Sequence, residues 1–287
     1  MKLYTINAGY FKLDGGAMHG VVPKSMWQKQ NPSDENNMCQ WAMRCLLVVT
    51  DTKKILIDTG MGTKQDEKFF SHFHPHGKDS IEKNLALHGF NGNDITDVFL
   101  THLHFDHCGG AISKIDEKLL PAFPNATYWV NETHFAGSLQ PNEREKASFL
   151  KENIIPIRES GKMQYVTASD GQFWQPEIAI ELANGHTDQM MLPLIHYNGV
   201  KILFCADLLP SIAHISMPWV MSYDMRPLDT LSEKKKLLGL AAKENWILFF
   251  EHDPKIECAT VHEVEGRIKL KETFMLSELD SKLEKGL

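Results

Sequence analysis

The stretch Thr101-His102-Leu103-His104-Phe105-Asp106-His107-Cys108-Gly109-Gly110 constrains this chain more than any other. Three histidines and one aspartate fall within six residues. They follow Asp97-Val98-Phe99-Leu100, a short apolar run that reads as a buried strand. A strand that ends in such side chains and then in a Gly-Gly turn places them at the rim of a sheet. Imidazole and carboxylate together suit zinc and neighbouring divalent transition metals.

Two metals that share one nucleophile need further ligands, including a carboxylate able to bridge them. Three residues sit where an apolar strand ends. His186 follows Leu182-Ala183-Asn184-Gly185, Asp207 ends Ile202-Leu203-Phe204-Cys205-Ala206, and His252 ends Ile247-Leu248-Phe249-Phe250-Glu251. A strand end holds a functional group on a rigid element. The run His72-Phe73-His74-Pro75-His76 also spaces histidines by two, but it lies in a loop and contains no carboxylate. It reads as a decoy. His19, His88, His134, His196 and His262 read as surface or satisfied core histidines. Cys108 lies beside the cluster, and its Gly-Gly neighbours mark it as a small packing residue.

The chain has 287 residues, 43% of them hydrophobic, enough for a large core, and we read residues 1–287 as one domain. A formal net charge of -7 disfavours a general nucleic-acid binder, which needs a basic footprint. No apolar run approaches the length of a membrane span, and the start lacks the apolar core of a signal peptide. Cys39, Cys45, Cys108, Cys205 and Cys258 form no C-x-x-C pair, so the expected setting is a reducing cytoplasm with free thiols.

Strands are expected at 3–8, 42–49, 54–57, 97–100, 126–130, 177–182, 191–197, 201–205 and 246–250. Asn198-Gly199 joins two of them as a hairpin turn. Helices are expected at 80–87, 132–136 and 230–245, with a helical insertion over 138–158. The Lys/Glu-rich tail from Val261 to Leu287 is expected to hold a terminal helix. Strands in groups, with helices interspersed, fit an α/β fold of two sheets with helices outside.

Taken together, Thr101-His102-x-His104-x-Asp106-His107, Gly185-His186-Thr187, Asp207, His252 and the early Asp58-Thr59-Gly60 resemble the metallo-β-lactamase superfamily of dinuclear hydrolases. The resemblance spans about residues 42 to 252. It implies an αββα sandwich of two mixed sheets flanked by helices, with two Zn2+ or other divalent transition metals at one edge. It implies that His102, His104 and His186 hold the first metal, that Asp106, His107 and His252 hold the second, and that Asp207 bridges them. Asp58 would orient a ligand histidine. Two such ions lower the pKa of a shared water to near neutrality, so that hydroxide attacks a carbonyl or phosphoryl centre. Asp106 would also accept a hydrogen bond from that hydroxide.

The segment from Leu208 to Asp224 is apolar, with prolines at Pro210 and Pro218. Met217, Trp219 and Met221 either line a pocket for an acyl or aromatic group or form a local core. With the insertion before His186, this segment resembles the branch of N-acyl-homoserine lactone lactonases and methyl-parathion-type hydrolases. Many of those lactonases carry a tyrosine three residues after the bridging aspartate, where this chain has Pro210. His214 or Tyr223 would take its place at the substrate carbonyl, His214 as a hydrogen-bond donor to the oxygen or the leaving group. The resemblance thus implies a small-molecule lactone or ester substrate and a homodimer, while charge and hydropathy speak against nucleic acid or membrane as partner. Lactone ring opening, and hence quorum quenching, is the leading expectation. Aryl-ester or organophosphate triester hydrolysis is the alternative, and a non-hydrolytic metal or redox scaffold the third.

Overall fold

The computed structural model describes residues 1–286 and divides them into two compact units. The first comprises 1–11, 43–168 and 188–191, and the second comprises 12–42, 169–187 and 192 onward. The fold is mixed α/β, with two mixed sheets and helices interspersed among their strands, as the grouped strands predict.

The first sheet is built from β1 (Lys2–Asp14), β2 (Met38–Val49), β3 (Lys54–Ile57), β4 (Asp97–Phe99), β7 (Thr127–Asn131) and β8 (Met163–Val166), adjacent in that order. A two-stranded ribbon, β5 (Ile112–Ile115) and β6 (Lys118–Pro121), interrupts the run. β3, β4, β7 and β8 are parallel neighbours, whereas β2 meets β3 antiparallel. The core of the first unit gathers Leu47, Leu56, Val98, Leu100, Tyr128 and Val130, all fully buried. The continuous apolar runs at 54–57 and 97–100 reflect parallel strands covered on both faces.

The second sheet runs in reverse chain order from β15 to β9: β15 (Arg267–Phe274), β14 (Cys258–Val264), β13 (Ile247–Phe249), β12 (Val200–Phe204), β11 (Met190–Tyr197), β10 (Ile178–Ala183) and β9 (Gln172–Gln175). Asn198-Gly199 forms the expected turn, with φ of 47° and 86°, and pairs Tyr197 with Val200. The helix expected from Thr230 starts earlier, at Pro227, where proline fits the first helical position, and ends at Glu244 under a left-handed Asn245.

The tail differs from expectation. Its Lys and Glu content reads as a helix, but residues 258–274 form the β14–β15 hairpin, closed by Glu265-Gly266 at φ 52° and 73°. Ile268 and Leu270 alternate with lysines, a period of two that the charge content masks. A short helix, Leu279–Leu283, follows, and Leu287 lies outside the described residues. The helix expected at 132–136 runs over Glu132–Ser138, and the insertion expected over 138–158 is helical beyond it only at Lys151–Glu159. The short strands β5, β6, β8 and β9 lie outside the expected set.

Candidate metal centre

In the first unit, parallel pairing of Ile57 with Phe99 brings the ends of β3 and β4 side by side. Asp58, in the left-handed region at φ 58°, donates its backbone N–H to the Phe99 carbonyl at 2.9 Å. Its carboxylate then accepts from the Thr101 backbone N–H at 2.8 Å and from the Thr101 hydroxyl at 2.6 Å. The same carboxylate lies 3.1 Å from His107 Nδ1. A short turn of helix, Phe105–Cys108, carries Asp106 and His107 just beyond His104. Gly110 permits the tight return: a Cβ there would lie 2.0 Å from the Thr59 carbonyl oxygen.

The four expected ligands of this unit are buried and close together. His102 Nε2 and His104 Nδ1 are 3.1 Å apart, and the His102 and His107 ring centroids are 3.9 Å apart. Nitrogens about 2.0–2.1 Å from a tetrahedral zinc stand about 3.3–3.4 Å from each other, so this pair has the spacing of two ligands on one ion. Asp106 Oδ2 lies 3.8 Å from His107 Nε2.

In the second unit, β12 and β13 are parallel and pair Phe204 with Phe249. Asp207 and His252 each follow that pair by three residues, so they emerge next to each other. Ala206, just before Asp207, is held at φ 39°, a conformation that costs a non-glycine residue of order 1–2 kcal/mol. Asp207 divides its carboxylate: Oδ2 is 3.0 Å from His186 Nε2, and Oδ1 is 3.0 Å from His252 Nε2. One oxygen toward each imidazole is the disposition of a bridging carboxylate. His186 rides on the Asn184-Gly185 turn, whose two backbone N–H groups donate to Glu233 at 2.6 and 3.2 Å. A Cβ on Gly185 would meet Thr230 Oγ1 at 2.2 Å.

The donor set fits divalent metal ions. On four of the histidines, the nitrogen opposite the expected ligand atom already has a partner. His102 Nδ1 faces the Thr101 hydroxyl at 3.1 Å and His107 Nδ1 faces Asp58. His186 Nδ1 lies 2.9 Å from Asp224 Oδ1, and His252 Nδ1 donates to the Ala42 carbonyl at 2.7 Å. Such outer contacts fix the tautomer that leaves Nε2 as a lone-pair donor. Burial pulls the His186 imidazolium down, but Asp207 and Asp224 on its two sides push it up further, to about 10. The pocket around His186 is thus strongly electronegative and suited to a cation.

The other sequence candidates are placed as follows. His214 is buried, with Nε2 donating to the Met18 carbonyl at 2.8 Å and Nδ1 2.9 Å from the Ser211 hydroxyl. It stacks on His19 at 5.5 Å, and burial lowers its pKa to about 3. Both ring nitrogens are thus engaged inside the unit. Tyr223, by contrast, is 38% exposed, beside the Asp224 that faces His186. Pro210 is buried and its carbonyl accepts from the His252 N–H at 3.2 Å. Trp219 and Met221 are buried, Trp219 edge-on to His19 at 5.5 Å, and Met217 is half-buried. Burial raises the Cys108 thiol to about 12, as suits a packing residue.

His72 lies in the exposed helix Glu67–Phe73, His74 caps it, and His76 stacks on Tyr10, so that run serves the local fold. Sequence reasoning missed Asp224, Thr230 and His134. His134 Nε2 accepts from the Leu103 N–H at 2.9 Å, pinning the backbone between His102 and His104. No local motif marks these residues; only the fold brings them to the ligands.

Strand ends carrying buried histidines and carboxylates, most of them oriented by a second partner, define the class as a metal-dependent hydrolase. Residues 44–252 match the metallo-beta-lactamase superfamily, and the chain belongs to it. It is 25% identical over 265 residues to an N-acyl homoserine lactonase of Bacillus thuringiensis, covering 88% of this chain and 93% of that protein. Among solved structures it is similar to a probable metal-dependent hydrolase from Staphylococcus aureus, at 27% identity and a TM-score of 0.84, covering 96% and 98% of the two chains. The fold is shared with AidC, a dizinc quorum-quenching lactonase, at 24% identity and a TM-score of 0.77, covering 95% of each. Among the described residues, no helix is long and apolar enough to cross a membrane.

Proposed function

We propose that this hydrolase opens the lactone ring of N-acyl-homoserine lactones at a dinuclear zinc centre. In this reading His102, His104 and His186 hold one ion, Asp106, His107 and His252 hold the other, and Asp207 bridges them. The observation that carries it is the Asp207 carboxylate, with one oxygen at 3.0 Å from each of two histidine nitrogens. The likeness to the Bacillus thuringiensis lactonase over 93% of that protein's length supports the lactone as substrate.

Bound zinc supplies a water that is nucleophilic at neutral pH and a Lewis acid for the carbonyl oxygen. The chain's own residues do the rest. Asp106, besides ligating, would accept a hydrogen bond from that water and so orient it toward the carbonyl carbon. Asp58 and Asp224 keep His107 and His186 in the tautomer that ligates. Tyr223, partly exposed, takes the role expected of a tyrosine near the bridging aspartate and donates its hydroxyl to the substrate carbonyl. The half-buried Met217, with the buried Trp219 and Met221 of the same segment, provides an apolar wall for the acyl chain. The five cysteines are buried, and action in a reducing cytoplasm fits them.

The test is a panel of acyl-homoserine lactones given to zinc-loaded protein beside an aryl phosphotriester of the methyl-parathion type, with acid release followed by a pH indicator. Ring opening should be the faster reaction and should disappear on chelation. Absence of ring opening with phosphotriester turnover intact would transfer the assignment to the organophosphate class.

A further inference from the structure

Lys234 lies in the middle of the helix Pro227–Glu244 and is completely buried. It falls on that helix's buried stripe with Thr230, Leu237, Leu238 and Ala241. A buried ammonium is costly unless its donors are satisfied. Here all three have acceptors, and all are backbone carbonyls of one short segment: Ser216 at 2.9 Å, Met217 at 3.2 Å and Trp219 at 2.8 Å. Burial lowers its pKa to about 7, and Asp224 pulls it partly back.

Three inward carbonyls within four residues wrap that segment around the charge. Lys234 therefore fixes the course of the chain that carries Met217 and Trp219. One turn earlier on the same helix, Thr230 donates its hydroxyl at 2.9 Å to the second oxygen of Asp224, whose first oxygen faces His186. One helix face thus separates two tasks. Thr230 works through Asp224 on the metal ligand, and Lys234 works on the apolar segment.

The geometry points to Lys234 as a positioning residue that shapes the 216–219 wall and thereby sets acyl-chain selectivity, an inference that rests on the lactonase reading. Two variants test it in the zinc-loaded protein. Lys234→Met removes every donor, and Lys234→Gln keeps a neutral amide with two N–H donors on a side chain one atom shorter. The Lys234→Met change should speed amide hydrogen exchange across residues 212–222 by about tenfold or more, with the metal content unchanged. It should also lower kcat/KM for a decanoyl lactone by about tenfold, through KM, and by less than about threefold for a butanoyl lactone. Lys234→Gln should fall between Lys234→Met and the parent protein on both measures. Thr230→Val should do the opposite, lowering metal content while leaving the decanoyl-to-butanoyl ratio intact. Unchanged exchange at 212–222, or equal losses for both chain lengths, would overturn the inference. If the parent protein opens no lactone of any length, the lactonase reading fails. The exchange measurement then still decides whether Lys234 holds the segment.

Discussion

Asp207 combines two demands: it faces two histidines, and it follows a strained backbone position at Ala206. Asp207→Asn keeps the shape and removes the charge. We expect it to bind less than half the zinc of the parent protein, by elemental analysis, and to lose about two orders of magnitude or more in kcat. If the Asp207→Asn protein kept both its metal and its activity, a bridging role would be excluded. His214 makes the opposite kind of prediction, because it is buried as a neutral ring. Its pKa falls to about 3 in the folded protein, whereas an unfolded chain titrates near 6.5. Between those values the unfolded chain binds a proton that the folded one does not. This contribution to stability is therefore full above about pH 6.5 and is lost as the pH falls toward 3. The buried His19 is shifted downward as well and acts in the same direction. His214→Phe should cost stability at neutral pH, by leaving the Met18 carbonyl without its donor, yet flatten the decline of the urea midpoint between pH 7 and 4.5. Parallel declines in the two proteins would assign the acid sensitivity elsewhere.

At the scale of elements, strand ends were the readable part. Each of Asp58, His102, Asp207 and His252 follows a continuous apolar run, and parallel pairing at Ile57–Phe99 and Phe204–Phe249 turns that shared grammar into spatial adjacency. The supports of the ligands were not readable. Asp224 meets His186 across 38 residues of chain, and His134 meets Leu103 across 31, so neither leaves a local pattern. His214 shows the other limit, since a histidine in an apolar segment reads alike whether it meets a substrate or a carbonyl from residue 18. The tail hairpin was hidden for a different reason: its composition speaks for a helix and its period for strands, and the flanking Arg267, Lys269 and Lys271 obscure that period. Gly266 tests that element directly. It holds φ 73° in open space, so an added methyl meets nothing and the only cost is the backbone's. Gly266→Ala should lower unfolding free energy by about 1–2 kcal/mol in urea titration and leave kcat/KM unaltered. A change in activity would mean that the hairpin reaches the chemistry.

For the molecule as a whole, the proposed ligand set carries a thermodynamic consequence. Metal binds the folded chain and not the unfolded one, so its binding free energy adds to the stability of the fold. A ligand present at about a thousand times its dissociation constant stabilises the folded state by about 4 kcal/mol. For a chain of this size that corresponds to about 5–10 °C in Tm. Calorimetry of the zinc-loaded protein should then show a transition that chelation lowers by that amount. Asp207→Asn, with most of its metal lost, should shift by less than half as much on chelation. A parent protein whose transition does not move on chelation, while its zinc is shown to leave, would mean that the ions do not stabilise the fold. The ligand assignment would then have to be redrawn.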